Sequence, residues 1–345
     1  MYILGLESSC DESAASVLKG SGQKTEILSN VIASQIDIHA QYGGVIPEIA
    51  AREHVLHILP TIETALRQAK ITPKDLKAIA VTQGPGLVTS LIAAIETAKA
   101  LSIIWKVPII PVHHIVGHIY ANFIKQAQTP KFPALALVVS GGHSNLIIMS
   151  DHYKFKVIGR TRDDAAGEAY DKGAKMMGLA YPGGPVIAAH AEDFRKTGKT
   201  STLEFPRPMI NSADSDFSFS GLKTALLYAL QKDKNWKKRL SEYCFAYEQA
   251  IIDVLVAKTI KAAEKYKVKS ILLAGGVAAN NALRTQLSAK VKEKLSKVSL
   301  YLPEKAYTTD NAAMIASAGY FRYYQSKDKA YTPGKSFRAN IDLKL

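Results

Sequence analysis

One order of elements runs through this chain twice. Each time an apolar run, a turn rich in glycine or serine and a second apolar run precede the helices. Tyr2–Leu6, Ala14–Leu18 and Ile27–Ser34 are short apolar runs parted by polar turns, and they predict three antiparallel strands. Pro47 opens a helix that runs to about Arg67. Leu76–Val81 is then a strand, Gly84-Pro85-Gly86 a turn, Leu87–Ile104 a helix and Val107–Val112 a strand. From Pro133 the order restarts with Leu135–Ser140, the turn Gly141-Gly142-His143, Asn145–Ser150, Phe155–Gly159 and a helix from about Ala165. The period is far longer than that of solenoid repeats. It predicts an α/β chain of two related domains that face each other. The length of 345 residues agrees, because single hydrophobic cores stop growing below it.

Between His190 and Ala225 the pattern turns irregular, with Pro206, Pro208 and the Ser/Asp-rich run Ser212–Ser220, and predicts a long surface loop. Ile252, Leu255, Val256, Thr259, Ile260 and Ala263 then recur at helical spacing with lysines opposite, as in a core-facing helix. Ile271–Ala274 reads as a buried strand, Gly275-Gly276 as a turn and Asn280–Val291 as a helix. The last helix is expected to start near Asp310, with Asp310-Asn311 suited to its N-cap.

The first residues lack a basic stretch and turn polar at once, so they read as a strand and not as a signal peptide. Leu91–Trp105 is apolar but broken by Glu96 and Lys99, and no membrane span is expected. Cys10 and Cys244 alone make no disulfide framework, which fits a reducing compartment, the cytoplasm. The net charge of +14 is the unusual bulk number, with cations clustered in Lys232–Arg239, Lys258–Lys269 and Lys290–Lys297. They are either solvated helix faces or a surface for a polyanion such as RNA.

His114 and His118 follow a strand and lie one helical turn apart on one face, which is metal-ligand spacing as well as the spacing of two packed histidines. Metallopeptidases with this spacing place a glutamate base after the first histidine, where this chain has Ile115. Asp310 is either a third ligand, completing a mixed nitrogen and oxygen site, or a helix cap. Val138-Val139-Ser140-Gly141-Gly142-His143 joins two strands, either as a hairpin turn or as a turn whose backbone N–H groups approach phosphate. Leu273–Asn280 leads from a strand into a helix, where α/β folds bind ligands. The turn from Glu7 to Ser13 holds three carboxylates and suits proton handling, with Asp11 and Glu12 as candidate catalytic groups. Asp163 or Asp164 is a cap for the helix that follows. Asp171, seven residues after Asp164, needs a partner such as a ribose hydroxyl if it faces inward. Tyr181-Pro182-Gly183-Gly184-Pro185 is a rigid turn able to close against a sugar.

Together these motifs resemble the tRNA adenosine threonylcarbamoyltransferase family, of the superfamily of actin, sugar kinases and chaperone ATPases, and formerly described as sialoglycoprotein endopeptidases. The likeness covers nearly the whole chain. It is carried by Glu7-Ser8-Ser9-Cys10-Asp11-Glu12, the ten residues from His39 to Glu48, His114 with His118, Ser140-Gly141-Gly142-His143, Asp163–Glu168, Phe217–Lys223 and Thr309-Asp310-Asn311. Ser8 and Ser13 stand where relatives often carry threonine, which keeps the hydroxyls.

The resemblance implies two actin-like, ribonuclease H-like domains related by pseudo-duplication, with nucleotide and metal in the cleft between them. It places 1–112 plus 306–345 in the first domain and 113–305 in the second. It implies one divalent ion, iron(II) or zinc, on His114, His118 and Asp310. Val138, Val139, Ser140, Gly141, Gly142, Asp171, Gly184 and Asn280 would contact threonylcarbamoyl-adenylate. The implied reaction transfers the threonylcarbamoyl group to the exocyclic amine of the adenosine next to the anticodon in tRNAs reading codons that start with adenine, releasing AMP, with Asp11 or Glu12 taking the proton. The implied partners are tRNA, a catalytically inactive paralogue and a small P-loop ATPase. A metal-dependent peptidase, a small-molecule kinase and a nucleotide-switched binding module are the alternatives.

Overall fold

The computed structural model describes residues 1–126, 128–325 and 337–345. Its contacts divide the chain into two units, Met1–Pro130 with His152–Lys154 and Pro303–Leu345, and Lys131–Asp151 with Phe155–Leu302. Residues 113–130 therefore group with the first unit, and the chain returns to it at Pro303. Part of the returning stretch, 326–336, lies outside the described residues.

In the first unit the opening apolar runs form β1 (Tyr2–Glu7), β2 (Glu12–Ser21) and β3 (Lys24–Ser34). The short α1 (Ile36–Ala40) and the long α2 (Pro47–Ala69) follow, then β4 (Leu76–Gly84), α3 (Val88–Trp105), β5 (Ile109–His113) and α4 (His114–Tyr120). The sheet order is β3-β2-β1-β4-β5. β1 pairs antiparallel with β2, Leu4 opposite Val17, and parallel with β4, Leu4 opposite Ile79. A central strand with both faces covered needs apolar residues on each. On one face Leu4 and Leu6 join Ile58 and Ile62 of α2 and Leu91 and Ile95 of α3 in one buried cluster.

α3 is long and apolar enough to cross a membrane, with mean hydropathy 1.4, against the expectation of no such stretch. In the fold its Leu91, Ala94, Ile95 and Ala98 are buried in that cluster, and Glu96 pairs with Lys99 at 2.7 Å.

The second unit repeats the arrangement. β6 (Ala134–Val139), β7 (Ser144–Asp151) and β8 (Lys154–Arg160) lead to α5 (Ala166–Met176), α6 (Gly183–Lys196), α7 (Ser220–Lys232) and α8 (Leu240–Lys265). β9 (Ser270–Ala274), α9 (Asn281–Lys294) and β10 (Ser299–Tyr301) complete it. Its sheet order is β10-β9-β6-β7-β8. β6 pairs antiparallel with β7 and parallel with β9, which is the pattern of β1 with β2 and β4. The internal repeat read from the sequence is thus a repeat of topology.

The chain then returns to the first unit as α10 (Ala312–Gln325). It lies against the sheet face opposite α2 and α3, so closely that a Cβ on Gly5 would sit 2.3 Å from Ala312 O and one on Gly319 2.3 Å from the Ala80 Cβ. Only glycine permits that approach.

Two expectations need correction, and a third, the start of the last helix, holds and is refined. The irregular stretch is shorter than 190–225, because α6 continues to Lys196 and α7 starts at Ser220. Asp163 causes the early start: it accepts from the N–H groups of Phe219 and Ser220 at 2.8 and 3.2 Å and from the hydroxyls of Ser218 and Ser220 at 2.6 and 2.7 Å. It thus caps α7 from a distance, whereas α5 has neither Asp163 nor Asp164 at its cap position. The last helix starts at Ala312, where Asn311 Oδ1 accepts from Met314 N at 3.0 Å. Asn311 is therefore the cap, which leaves the Asp310 carboxylate for another role.

Candidate metal centre and nucleotide-binding turns

β5 ends and α4 begins within His113-His114, and the three histidines of this stretch divide their roles. His113 Nδ1 accepts from Ile115 N at 3.1 Å and so caps α4, which fixes the turn on which His114 and His118 stand. Their rings meet at 80° with centroids 4.7 Å apart. Asp310 Oδ1 lies 3.6 Å from His114 Nε2 and 3.2 Å from His118 Nε2. One ligand atom from each of the three lies within 4.8 Å of the others. Ile115, which stands where a metallopeptidase would need its glutamate, is buried in the core.

Glu7 organises this group from the end of β1. Its Oε2 lies 3.2 Å from His114 Nδ1 and accepts from Thr82 Oγ1 at 2.7 Å, while its Oε1 accepts from Ser9 N at 2.6 Å. Ser9 Oγ is also 3.1 Å from His114 Nδ1. With Nδ1 engaged, Nε2 is the His114 atom offered to an ion, the outer-shell pattern that orients metal-binding histidines. Burial opposes charge on His114, but the carboxylates of Asp310 and then Glu7 outweigh it and hold the imidazolium up to about 9 in the metal-free protein.

His118 is 1% exposed, and among the described residues neither ring nitrogen makes a hydrogen bond, even though Nε2 lies 3.2 Å from Asp310. The contact is close enough, but its direction is wrong for a hydrogen bond. Buried imidazole nitrogens without such partners are costly, and lone pairs directed at a shared point are what a cation requires. The donor set of two imidazoles and a carboxylate fits a transition ion with open positions.

Asp11 and Glu12, at the start of β2, are both buried. Burial, the carboxylates of Asp310 and Asp11 and a hydrogen bond with Asp11 push Glu12 well above the usual carboxylate range. Their turn is pinned by His54 of α2, whose Nδ1 lies 2.7 Å from Ser13 Oγ and whose Nε2 lies 2.9 Å from Cys10 O.

In the second unit the turn between β6 and β7 is closed by Ser140 N donating to His143 O at 2.8 Å, and Ser140 O accepts from Gly167 N at 3.1 Å. Gly141 and Gly142 are exposed, make no hydrogen bond among the described residues, and would have nothing within 4 Å of an added Cβ. Two adjacent N–H groups facing open space are a natural seat for an anion. The side chains of Val138 and Val139 are buried in the sheet, so only their backbone can meet a ligand. Gly275 takes φ +89°, and a Cβ there would be 2.3 Å from Val139 O, so the turn after β9 lies directly against the end of β6.

Asp171 Oδ1 accepts from Gly183 N at 2.8 Å, so its first partner is the start of α6. Burial raises its pKa against the pull of the Gly183 and Gly184 N–H groups. Gly184 is open, with Tyr170 Cβ at 4.0 Å from an added Cβ. Asn280 caps α9 by accepting from Leu283 N at 2.9 Å and donates to Glu248 Oε1 at 2.6 Å.

Residues 26–317 match the family model described as "TsaD: tRNA N6-adenosine threonylcarbamoyltransferase". The curated tRNA N6-adenosine threonylcarbamoyltransferase of Dehalococcoides mccartyi is 50% identical over 327 residues, 95% of either chain. Those of Geobacillus thermodenitrificans and Listeria monocytogenes are each 49% identical, over 95% of this chain and 93% of theirs. The chain belongs to the tRNA N6-adenosine threonylcarbamoyltransferase family. Its fold is the actin-like one, shared with the crystal structure of T. kodakarensis HypF at TM-score 0.60 and 14% identity over 94% of this chain and 47% of that longer one. A second structure, full-length HypF in a phosphate- and nucleotide-bound form, aligns equally at TM-score 0.60 and 13% identity over 95% of this chain and 47% of its own.

For this member of the family, reading the residues missed four supports: Glu7 behind His114, His54 behind the Asp11 turn, Glu248 behind Asn280, and Asp163 on α7. Each is a long-range partner, and for Glu7, His54 and Asp163 nothing local in sequence marks it. Glu248 carried a partial signal, as a carboxylate on the helix face that buries Ile251, Ile252 and Leu255. Its second partner is Arg195 Nη2 at 2.8 Å.

Proposed function

We propose that this chain transfers a threonylcarbamoyl group from threonylcarbamoyl-adenylate to the exocyclic amine of the adenosine next to the anticodon, releasing AMP. The observation that carries the reading is the cluster of buried His114 and His118 with half-buried Asp310 in a chain half identical to named transferases. The same group offers a peptidase no base, because Ile115 is a buried apolar residue.

His114, His118 and Asp310 would hold one iron(II) or zinc ion, which when bound supplies Lewis acidity toward the carbamoyl carbonyl. Gly141 and Gly142 would donate backbone N–H groups to the adenylate phosphate, within the turn from Val138. Asp171 would take the ribose beside Gly184, and Asn280, held by Glu248, would fix the nucleotide from α9. In the transfer the adenosine amine forms a bond to the carbamoyl carbon, the bond from that carbon to the adenylate oxygen breaks, and AMP leaves with the electron pair. The amine proton passes to Glu12 or Asp11. The raised proton affinity of Glu12, a consequence of its burial beside Asp310 and Asp11, favours it as the acceptor. The target base is already unpaired in an anticodon loop, so presenting it requires no duplex opening. The cytoplasm is the compartment inferred, and an inactive paralogue and a small P-loop ATPase are the protein partners inferred.

The test is mass analysis of nucleosides from unmodified tRNA incubated with the protein, its metal, threonylcarbamoyl-adenylate and the two partners. Threonylcarbamoyladenosine is expected with the native chain and absent with His114→Ala/His118→Ala. No product from the native chain sinks the reading, and full turnover in both Asp11→Asn and Glu12→Gln removes the proposed base.

A further inference from the structure

The basic runs of the sequence become unequal once folded. In Lys258–Lys269, Lys258 is only 2% exposed and donates to Ser212 Oγ at 2.8 Å and Asp214 O at 3.2 Å, while Lys261 donates to Ser212 O at 2.8 Å. These cations fasten the segment that precedes α7. In Lys290–Lys297, Lys290 and Lys294 lie 2.9 and 3.5 Å from the Glu293 carboxylate.

Lys232–Arg239 differs. Arg239 is engaged by Asp233 at 3.1 Å and Glu242 at 3.0 Å. Lys232, Lys234, Lys237 and Lys238 are all exposed and make no ion pair among the described residues. They crowd the end of α7 and the tight turn Trp236–Arg239. Four like charges within seven residues repel one another, and no acidic side chain among the described residues forms an ion pair with them, since Asp233 in their midst is taken by Arg239. Tyr228 is 65% exposed and lies one helical turn before Lys232, on the same face of α7. Cations without ion pairs, one of them (Lys237) over the Trp236 ring at 5.9 Å, beside an exposed aromatic ring match a single-stranded polyanion, with phosphates on the lysines and a base on the ring.

We propose that Tyr228, Lys232, Lys234, Lys237 and Lys238 form a contact surface for the tRNA substrate. This rests on the transferase reading for the identity of the RNA, and it names which of the basic runs meets it. The surface works through backbone charge and stacking, so it sets affinity more than the rate of the chemical step.

The experiment measures binding of unmodified tRNA to the full chain across potassium chloride concentrations, beside steady-state transfer. It compares the native protein with Lys232→Ala/Lys234→Ala/Lys237→Ala/Lys238→Ala, with Tyr228→Ala and with the control Lys292→Ala/Lys297→Ala. Each lost phosphate contact removes roughly 0.7 to 0.9 from the slope of log affinity against log salt. The quadruple variant should therefore lose about 3 from the slope and on the order of 100-fold in affinity at ~0.15 M salt, seen in KM for tRNA more than in kcat. Tyr228→Ala should weaken binding by about tenfold with the slope kept. The control pair should stay within about threefold of native, since two contacts would cost more than that. The substituted side chains are exposed, and an unchanged circular dichroism spectrum and Tm verify the fold. A quadruple variant with native slope and KM that still makes product overturns the surface and leaves the transferase reading standing. Native protein that binds tRNA through these lysines but makes no product leaves the surface and removes the transferase reading.

Discussion

The raised proton affinity of His114 couples metal binding to pH in a way that can be worked through. In the metal-free protein the Asp310 and Glu7 carboxylates hold the imidazolium up to about 9. Nε2, 3.6 Å from Asp310 Oδ1, cannot bind an ion until its proton leaves. Below about pH 9 the ion and the proton compete, and apparent affinity should fall tenfold for each pH unit. From pH 9 to pH 7 that is about 100-fold, or roughly 3 kcal/mol. Zinc titration of the metal-free protein against a chromophoric chelator, with calorimetry in buffers of differing ionisation enthalpy, reads both affinity and proton release. Close to one proton per ion is expected at pH 7.5.

Glu7→Gln supplies the decisive contrast. It removes one of the carboxylates that raise His114 and the partner that orients Nδ1, so affinity at pH 9 should drop roughly 10- to 100-fold. The gap should narrow toward pH 7, because proton competition weakens in the variant. Stability without metal follows the opposite course. A group whose pKa is raised on folding contributes below its unfolded value near 6.5, and that contribution is lost as pH rises through about 9. The metal-free protein should therefore lose on the order of 3 kcal/mol between those limits from this group. Zinc affinity that is flat from pH 7 to pH 9, or binding without proton release, would refute the reasoning.

The other expectations concern single positions. Gly142→Val should leave Tm within about 2 °C, since nothing lies within 4 Å of the added Cβ. It should still weaken binding of an adenylate analogue at least about tenfold by crowding the N–H seat. Gly275→Ala should do the reverse and lower stability by about 2 kcal/mol or more in urea denaturation, because φ +89° and Val139 O at 2.3 Å both oppose a side chain. Asp163→Ala should cost about 2 kcal/mol and raise proteolytic cutting between 212 and 220, because the cap of α7 and the hydroxyl anchors go together. Gly319→Val should prevent α10 from seating on β4, seen as loss of soluble protein or a shift of at least about 3 kcal/mol, since Ala80 Cβ already lies 2.3 Å from an added Cβ.

Much of the fold was determined by the sequence itself, because it rests on local rules. Apolar runs of strand length, the prolines and glycines that part them, and the repetition of one order define both sheets and most helices. His114 and His118 share a face because helical spacing requires it. Local rules cannot say which of two competing local uses a side chain takes. Asp310 and Asn311 both suit a helix start, and only the folded chain gives the cap to Asn311 and turns Asp310 toward histidines nearly two hundred residues earlier. Asp163 precedes α5 in sequence yet caps α7, more than fifty residues on. The lysine runs look alike as text, but burial of Lys258 and the carboxylate beside Lys290 distinguish them from the lysines of Lys232–Lys238, which make no ion pair among the described residues. Periodicity and turn chemistry act within a few residues and so are written along the chain. Hydrogen bonds, ion pairs and metal ligation act at about 3 Å in space, whatever the distance in sequence, and only the tertiary structure decides them.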